Sequence, residues 1–286
     1  MTHRSEDTLV ALLSGPDGPG IVAATSGWIA ERDGLILHAD QHSDLEAGIF
    51  FQRLEWVSSA AQPAQEAEDF ATFARTLGMT ARVTSAAVRP RVAVLVSRID
   101  HCFQDLLYRW RTGELHADLT GVISNHPDLR EDAERHGLPF HHVPVTADTR
   151  DDAEARTLAL LDEWKADLAV MARYMQILSP AFLERFARPV INIHHSFLPA
   201  FPGAKPYHSA YARGVKIIGA TAHYVTSDLD EGPIIEQDII RVSHKETIQD
   251  FVRRGRDLEK TVLSQAIWWH LRHQILVYNN KTVILG

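Results

Sequence analysis

Two polar residues interrupt an apolar run in "INIHHSFLPAFPGAKPYHSA", residues 191 to 210. Asn192 and His194 stand two apart, so in a strand their side chains share a face. Asn supplies an amide donor, and His a proton shuttle that works near neutral pH. At the carboxyl end of a strand the pair could polarise a carbonyl and move a proton. His195 would face the other way if the strand continues that far. Downstream, "TSDLDEG" crowds Asp228, Asp230 and Glu231 into one loop after a strand that carries Thr221 and His223 on one face. A carboxylate from that loop, set over Asn192 and His194, would orient water for attack on a planar carbonyl. Taken alone, each part has a plainer use. An Asn-x-His pair suits a hydrogen-bonded turn, an Asp before Glu-Gly is a common turn residue, and His208 and His223 individually suit structural roles. His194, His195, His208 and His223 show no HExxH or comparable ligand spacing, so no metal site is expected.

These residues need a rigid scaffold, and the second half of the chain reads as one. "VAVLVS", "DLTGVISN", "PFHHVPV", "DLAVMAR" and "PVINIHH" read as buried strands, separated by helical segments such as "CFQDLLYRWRTG" and "PAFLERFA". Alternation of this kind predicts an α/β, doubly wound, mainly parallel sheet, which binds ligands beyond the carboxyl ends of its strands. The exit loop after "INIHH" is stiffened by Pro199, Pro202 and Pro206, with Gly203 as a permissive joint. Arg98, Asp100 and His101 follow the first strand of this half, where phosphates often bind. "SRIDHCF" has no glycine to bring backbone N–H groups to a phosphate, so a non-phosphate loop is expected there.

The first half reads differently. "TLVALLS", "LILHADQHSD", "AGIFFQRLEW" and "MTARVTSA" are strands, with helices in "GIVAATSGWIAERDG" and "AQEAEDFATFARTLG". The order is βαββαβ, a ferredoxin-like unit. A boundary at "RPR", residues 89 to 91, gives two domains, 1–87 and 88–286.

Composition agrees with such an enzyme. The 286 residues are 45% hydrophobic, and the formal net charge of −8 argues against nucleic acid or an anionic membrane as partner. The single cysteine, Cys102, permits no intrachain disulfide and fits a reducing, cytoplasmic setting. The N-terminal apolar run is too short for a signal peptide or a membrane span.

"MARYMQILSP", the 191–225 stretch and "DLDEGPIIEQ" together resemble the folate-dependent formyltransferase family, and "GPDGPGIV" after the first strand resembles an ACT regulatory module. The likeness covers nearly the whole chain. It implies Asn192, His194 and Asp230 as catalytic residues. It implies a pterin site lined by Met175, Gln176, Ile177, Leu178, Phe182, Val190 and Val225, with loop backbone from Thr226, Ser227, Asp228 and Leu229. It further implies an amino-acid site at Asp17, Gly18 and Gly20, and a homo-oligomer. The glycine-containing phosphate loop of family members that formylate a phosphorylated amine is missing, and His195 replaces the proline usual in transferases. Water is therefore the expected acceptor. The expected reaction is hydrolysis of 10-formyltetrahydrofolate to tetrahydrofolate and formate, with no cofactor, feeding one-carbon and purine metabolism. Transfer to an unidentified amine is the alternative. An amino-acid-sensing protein with a dead catalytic domain is opposed by the intact Asn, His and Asp set.

Overall fold

The computed structural model describes residues 7–200 and 206–286. Pro202 and Gly203, read above as shaping the exit loop, lie outside the described residues. The chain forms two compact units, residues 1–89 with 272–286, and residues 90–271.

The first unit holds β1 (Thr8–Pro16), α1 (Ile21–Ala30), β2 (Leu35–Asp44), β3 (Ile49–Val57), α2 (Pro63–Thr76) and β4 (Thr80–Ser85). The strands form an antiparallel sheet in the order β2-β3-β1-β4, as an ACT-like βαββαβ unit requires. Alternate residues of β1 and β3, among them Leu9, Ala11, Leu13, Leu54 and Trp56, cluster with Trp28, Ile29 and Phe70 of the helices. The Trp56 indole N–H donates to Glu66 at 2.9 Å, so a carboxylate inside this core keeps a partner.

The second unit holds β5 (Arg91–Val96), α3 (His101–Arg111), β6 (Asp118–Ser124), α4 (Arg130–Arg135), β7 (Phe140–His142), α5 (Arg150–Glu163), β8 (Leu168–Met171), α6 (Pro180–Phe186), β9 (Val190–His194), α7 (Pro206–Arg213), β10 (Ile217–Tyr224), β11 (Ile234–Arg241) and α8 (Ile248–Leu271). Its sheet runs β11-β10-β9-β8-β5-β6-β7. The five strands from β9 to β7 are parallel, and β10 and β11 are antiparallel additions. From β5 the chain winds one way through β6 and β7, then the other way through β8 and β9. The gap between β5 and β8 is therefore the topological switch point.

The remaining strands, β12 (Ile275–Tyr278) and β13 (Lys281–Ile284), form a hairpin that belongs to the first unit. Tyr278 meets Phe51 with ring centroids 4.6 Å apart. Its hydroxyl donates to Asp44 at 2.6 Å, and Arg53 donates to the His273 carbonyl at 3.0 Å. The second domain thus ends at residue 271, where the sequence reading extended it to 286. The cause is tertiary: β3 offers Phe51 and Arg53 on the face opposite α1 and α2, and the hairpin covers them.

Candidate active site

β9 is an inner strand, so apolar residues fill it until it leaves the sheet. Asn192 pairs in register with His223, and His194 with Thr221. All four side chains consequently lie on one face. The loop after β10 starts where Val225 N–H donates to the Val190 carbonyl at 2.8 Å, and then turns back over that face. It closes through Tyr224 N–H to the Pro233 carbonyl at 3.0 Å. A Cβ on Gly232 would collide with the Tyr224 carbonyl, so only glycine fits the return. Asp230 sits in this loop at φ 56, a left-handed conformation that Asp tolerates better than most residues.

The loop brings the Asp230 carboxylate 3.2 Å from His194 Nδ1 and 3.7 Å from His223 Nε2. Hydrogen bonds from His194 and His223 hold the Asp230 carboxyl well below the usual carboxylate range, against the upward push of burial. His194 is buried, and its Nε2 has no hydrogen-bond partner among the described residues. His223 Nδ1 lies 2.9 Å from the Tyr224 carbonyl, which only accepts, so Nδ1 carries the proton. Nε2 then lies between the Asn192 amide nitrogen at 3.3 Å and the Asp230 carboxylate at 3.7 Å, accepting from the amide in the neutral ring and donating to the carboxylate in the charged one. The arrangement presents an amide donor and an imidazole nitrogen on one face, with a fixed negative charge behind the imidazole. It suits addition to a carbonyl.

On the same face, Thr221 donates to the Ser196 carbonyl at 2.8 Å and accepts from Leu198 N–H at 3.1 Å, anchoring the exit from β9. Asp228 serves the turn through its carbonyl, which accepts from Thr226 Oγ1 at 3.2 Å. Thr226 is half-buried, while Ser227, Asp228 and Leu229 are exposed. The segment after β8 is held by α5. Arg150 donates to the Ile177 carbonyl at 2.9 Å, and Glu154 accepts from Ser179 N–H at 2.8 Å. Met175 and Ile177 are exposed, and Gln176 is half-buried. Leu178, Phe182 and Val190 belong to the buried cluster with Trp164 and Met171, and Val225 packs against it. Phe182 and Val190 are only 1% and 2% exposed, so neither presents an open wall to a ligand.

In the first unit, Gly18 and Gly20 line a cavity of about 460 Å³ with Val22, Ser26 and Phe50. Asp17 is not on that wall; its N–H donates to the Gly48 carbonyl at 2.9 Å. Gly20, at φ 86, caps α1, whose first turn carries no acidic residue.

His223 is the residue that reading by sequence undervalued. The signal was present, because Thr221 and His223 are alternate polar positions in an otherwise apolar strand. His223→Ala should lower kcat by about 10- to 100-fold, the scale of one charge-assisted hydrogen bond, with KM little changed. Steady-state kinetics checks this.

An α/β sheet that brings Asn, His and Asp together beyond the end of an inner strand suits an enzyme that adds to a carbonyl, and the chain belongs to the formyl transferase family, whose pattern matches residues 90–267. A formyltetrahydrofolate deformylase of Synechocystis sp. is 49% identical over 98% of this chain and 99% of its own length. The crystal structure of a formyltetrahydrofolate deformylase from Pseudomonas syringae superposes with a TM-score of 0.95 at 46% identity, covering 100% of this chain and 96% of that one. Glycinamide ribonucleotide transformylase 1 from Symbiobacterium toebii reaches a TM-score of 0.65 at 30% identity, covering 69% of this chain and 95% of its own. Within the family, the full-length likeness is thus to the formyltetrahydrofolate deformylases. Among the described residues no helix is long and apolar enough to cross a membrane.

Proposed function

We propose that this chain hydrolyses 10-formyltetrahydrofolate to tetrahydrofolate and formate. The observation that carries the reading is the Asp230 carboxylate held against His194 Nδ1 at 3.2 Å while His194 Nε2 keeps no partner among the described residues. The pterin occupies the cleft between the 175–178 segment and the 225–229 loop, and the formyl group lies over Asn192 and His194. Water attacks the formyl carbon. The formyl oxygen takes up negative charge, which the Asn192 amide and His194 Nε2–H stabilise. Asp230 orients the water and stabilises the imidazolium of His194. With its carboxyl held so low, it acts on the water first as an acceptor and only weakly as a base. The C–N10 bond then breaks as N10 takes a proton from the His194 imidazolium, which the attacking water's proton restores, and the water's second proton leaves as formic acid ionises. The balance is one water consumed, and tetrahydrofolate, formate and one proton formed. Every step runs on side chains and water, so the reading calls on no metal or cofactor.

The test is an assay with 10-formyltetrahydrofolate as the only substrate. Formate and tetrahydrofolate should appear in equal amounts, and added glycinamide ribonucleotide should yield no formylated product. Formyl transfer at a rate comparable to hydrolysis would favour the amine-acceptor alternative.

The first unit serves, in this reading, as a regulatory and pairing module. The uncapped start of α1 beside the Gly18 and Gly20 cavity offers N–H groups and positive potential to an amino-acid carboxylate. A small amino acid should then raise the melting temperature by linkage and change the rate, and Gly20→Val should abolish both effects. A thermal-shift and rate series over the common amino acids checks this; a response that survives Gly20→Val moves the site elsewhere. The edge strand β2 exposes Leu35 and Leu37, which suits pairing between copies. The setting is the cytoplasm, where the reaction feeds one-carbon and purine metabolism.

A further inference from the structure

At the switch point between β5 and β8 a second, smaller space opens. It is a cavity of about 130 Å³ whose wall includes His101, Arg173, His195, Tyr207, Arg256 and Glu259. Glu259 is 1% exposed, and its carboxylate is already engaged. It accepts from His101 Nε2 at 2.9 Å and from the Tyr207 hydroxyl at 2.8 Å, and pairs with Arg173 Nε at 3.3 Å. Burial pushes its carboxyl up, but the His101 hydrogen bond and the Arg173 charge outweigh that and hold it below the ordinary value.

Arg173 is the unbalanced partner. It is 8% exposed, and its Nη1 has no hydrogen-bond partner among the described residues. A buried guanidinium N–H without an acceptor is costly, and an anion in the cavity would supply one. The wall carries two guanidinium groups, Arg173 and Arg256, against one carboxylate that is already used. An amine would find no free carboxylate. A metal fares no better. His101, Cys102 and Glu259 bring ligand atoms within 4.8 Å of one another, but the Arg173 charge lies 3.3 Å from the same carboxylate oxygen.

The size selects among anions. Liquid water takes about 30 Å³ per molecule, so the cavity suits a three-atom carboxylate with a water or two, not a phosphorylated sugar. It shares His101, His208, Val252 and Arg256 with a wider, open groove of about 470 Å³ that carries Arg253 and Lys260. His195 links it to the chemistry: its ring forms part of the wall and lies 5.4 Å, centroid to centroid, from that of His194.

We infer that this cavity is a formate site, which takes the carboxylate anion formed at Asn192 and His194, holds it on Arg173 and releases it past Arg256. The inference rests on the hydrolysis proposed above. The test titrates ¹³C-formate into the resting enzyme by NMR, without folate, so that it does not depend on turnover. Saturable binding is expected. Arg173→Lys keeps the charge but loses the planar fork, and should weaken binding by about tenfold or more. Arg256→Gln, an exposed position that leaves the fold intact, should weaken it by about threefold. Nitrate should compete and methylammonium should not. Absence of saturation up to about 100 mM, equal binding in all three proteins, or displacement by methylammonium would each overturn the assignment. No formate release from 10-formyltetrahydrofolate would instead sink the hydrolysis reading, and with it the source of the anion.

Discussion

Asp230→Asn should keep the fold and hold folate affinity within a few fold, yet lose about two orders of magnitude or more in turnover. The amide has nearly the shape of the carboxylate but no charge to set behind His194. The imidazolium that stabilises the oxyanion and protonates N10 then loses its counter-charge, and the attacking water loses its acceptor. His194→Ala should lose as much, because the same oxyanion goes unstabilised. The two act as a unit, so the double variant should be little worse than either single one. Near-normal formate release by either variant would refute the roles given to both residues. Stability offers a second check. The folded carboxyl is depressed, so its contribution is fully present above the unfolded value of about 4 and is lost as pH falls towards the folded value. The stability gap between wild type and Asp230→Asn should hold from neutral pH down to about pH 4 and narrow below it, as read by denaturant titration at several pH values.

Glu259→Ala should be the most damaging single change to the stability of the second unit. Its carboxylate gathers His101, Arg173 and Tyr207 in a site where Glu259 itself is 1% exposed. Removing one partner of a buried ion pair strands the other charge, at a cost of about 3–5 kcal/mol. For a unit of this size that corresponds to a fall in melting temperature on the order of 10 °C. Glu259→Gln keeps the volume but still leaves Arg173 without a counter-charge, so it should recover only part of the loss. A calorimetric shift under about 1 kcal/mol for the alanine variant would mean that water reaches Arg173 and screens it.

The proposed catalytic face was legible where local rules suffice. Period two put Asn192 and His194 together, and the apolar run before them announced a parallel strand. Asp230 was not separable by spacing from Asp228 and Glu231; likeness to a family singled it out, and the left-handed turn that brings it to His194 is a tertiary fact. His223 depends on the antiparallel register that sets it opposite Asn192, which no local pattern displays. Glu259 belongs to no motif, and its signal lies only in its setting. The buried stripe of α8 runs Phe251, Gly255, Leu258, Glu259, Val262 and Leu263, and a charge inside such a stripe is a signal. The final hairpin also had a local mark, Asn279 and Asn280 at φ 44 and 59 between two alternating runs, a turn type these residues favour. What no local pattern could reveal is the sheet face that the hairpin covers.

That hairpin sets a timetable for synthesis. The first unit is the first to leave the ribosome, yet residues 272–286, which shield Phe51 and Arg53, follow only after the 90–271 segment. At roughly 5–20 residues per second, the early sheet waits about 10–40 s with Phe51 and Arg53 uncovered. During that interval the 90–271 segment is made while the first sheet still lacks its closing hairpin.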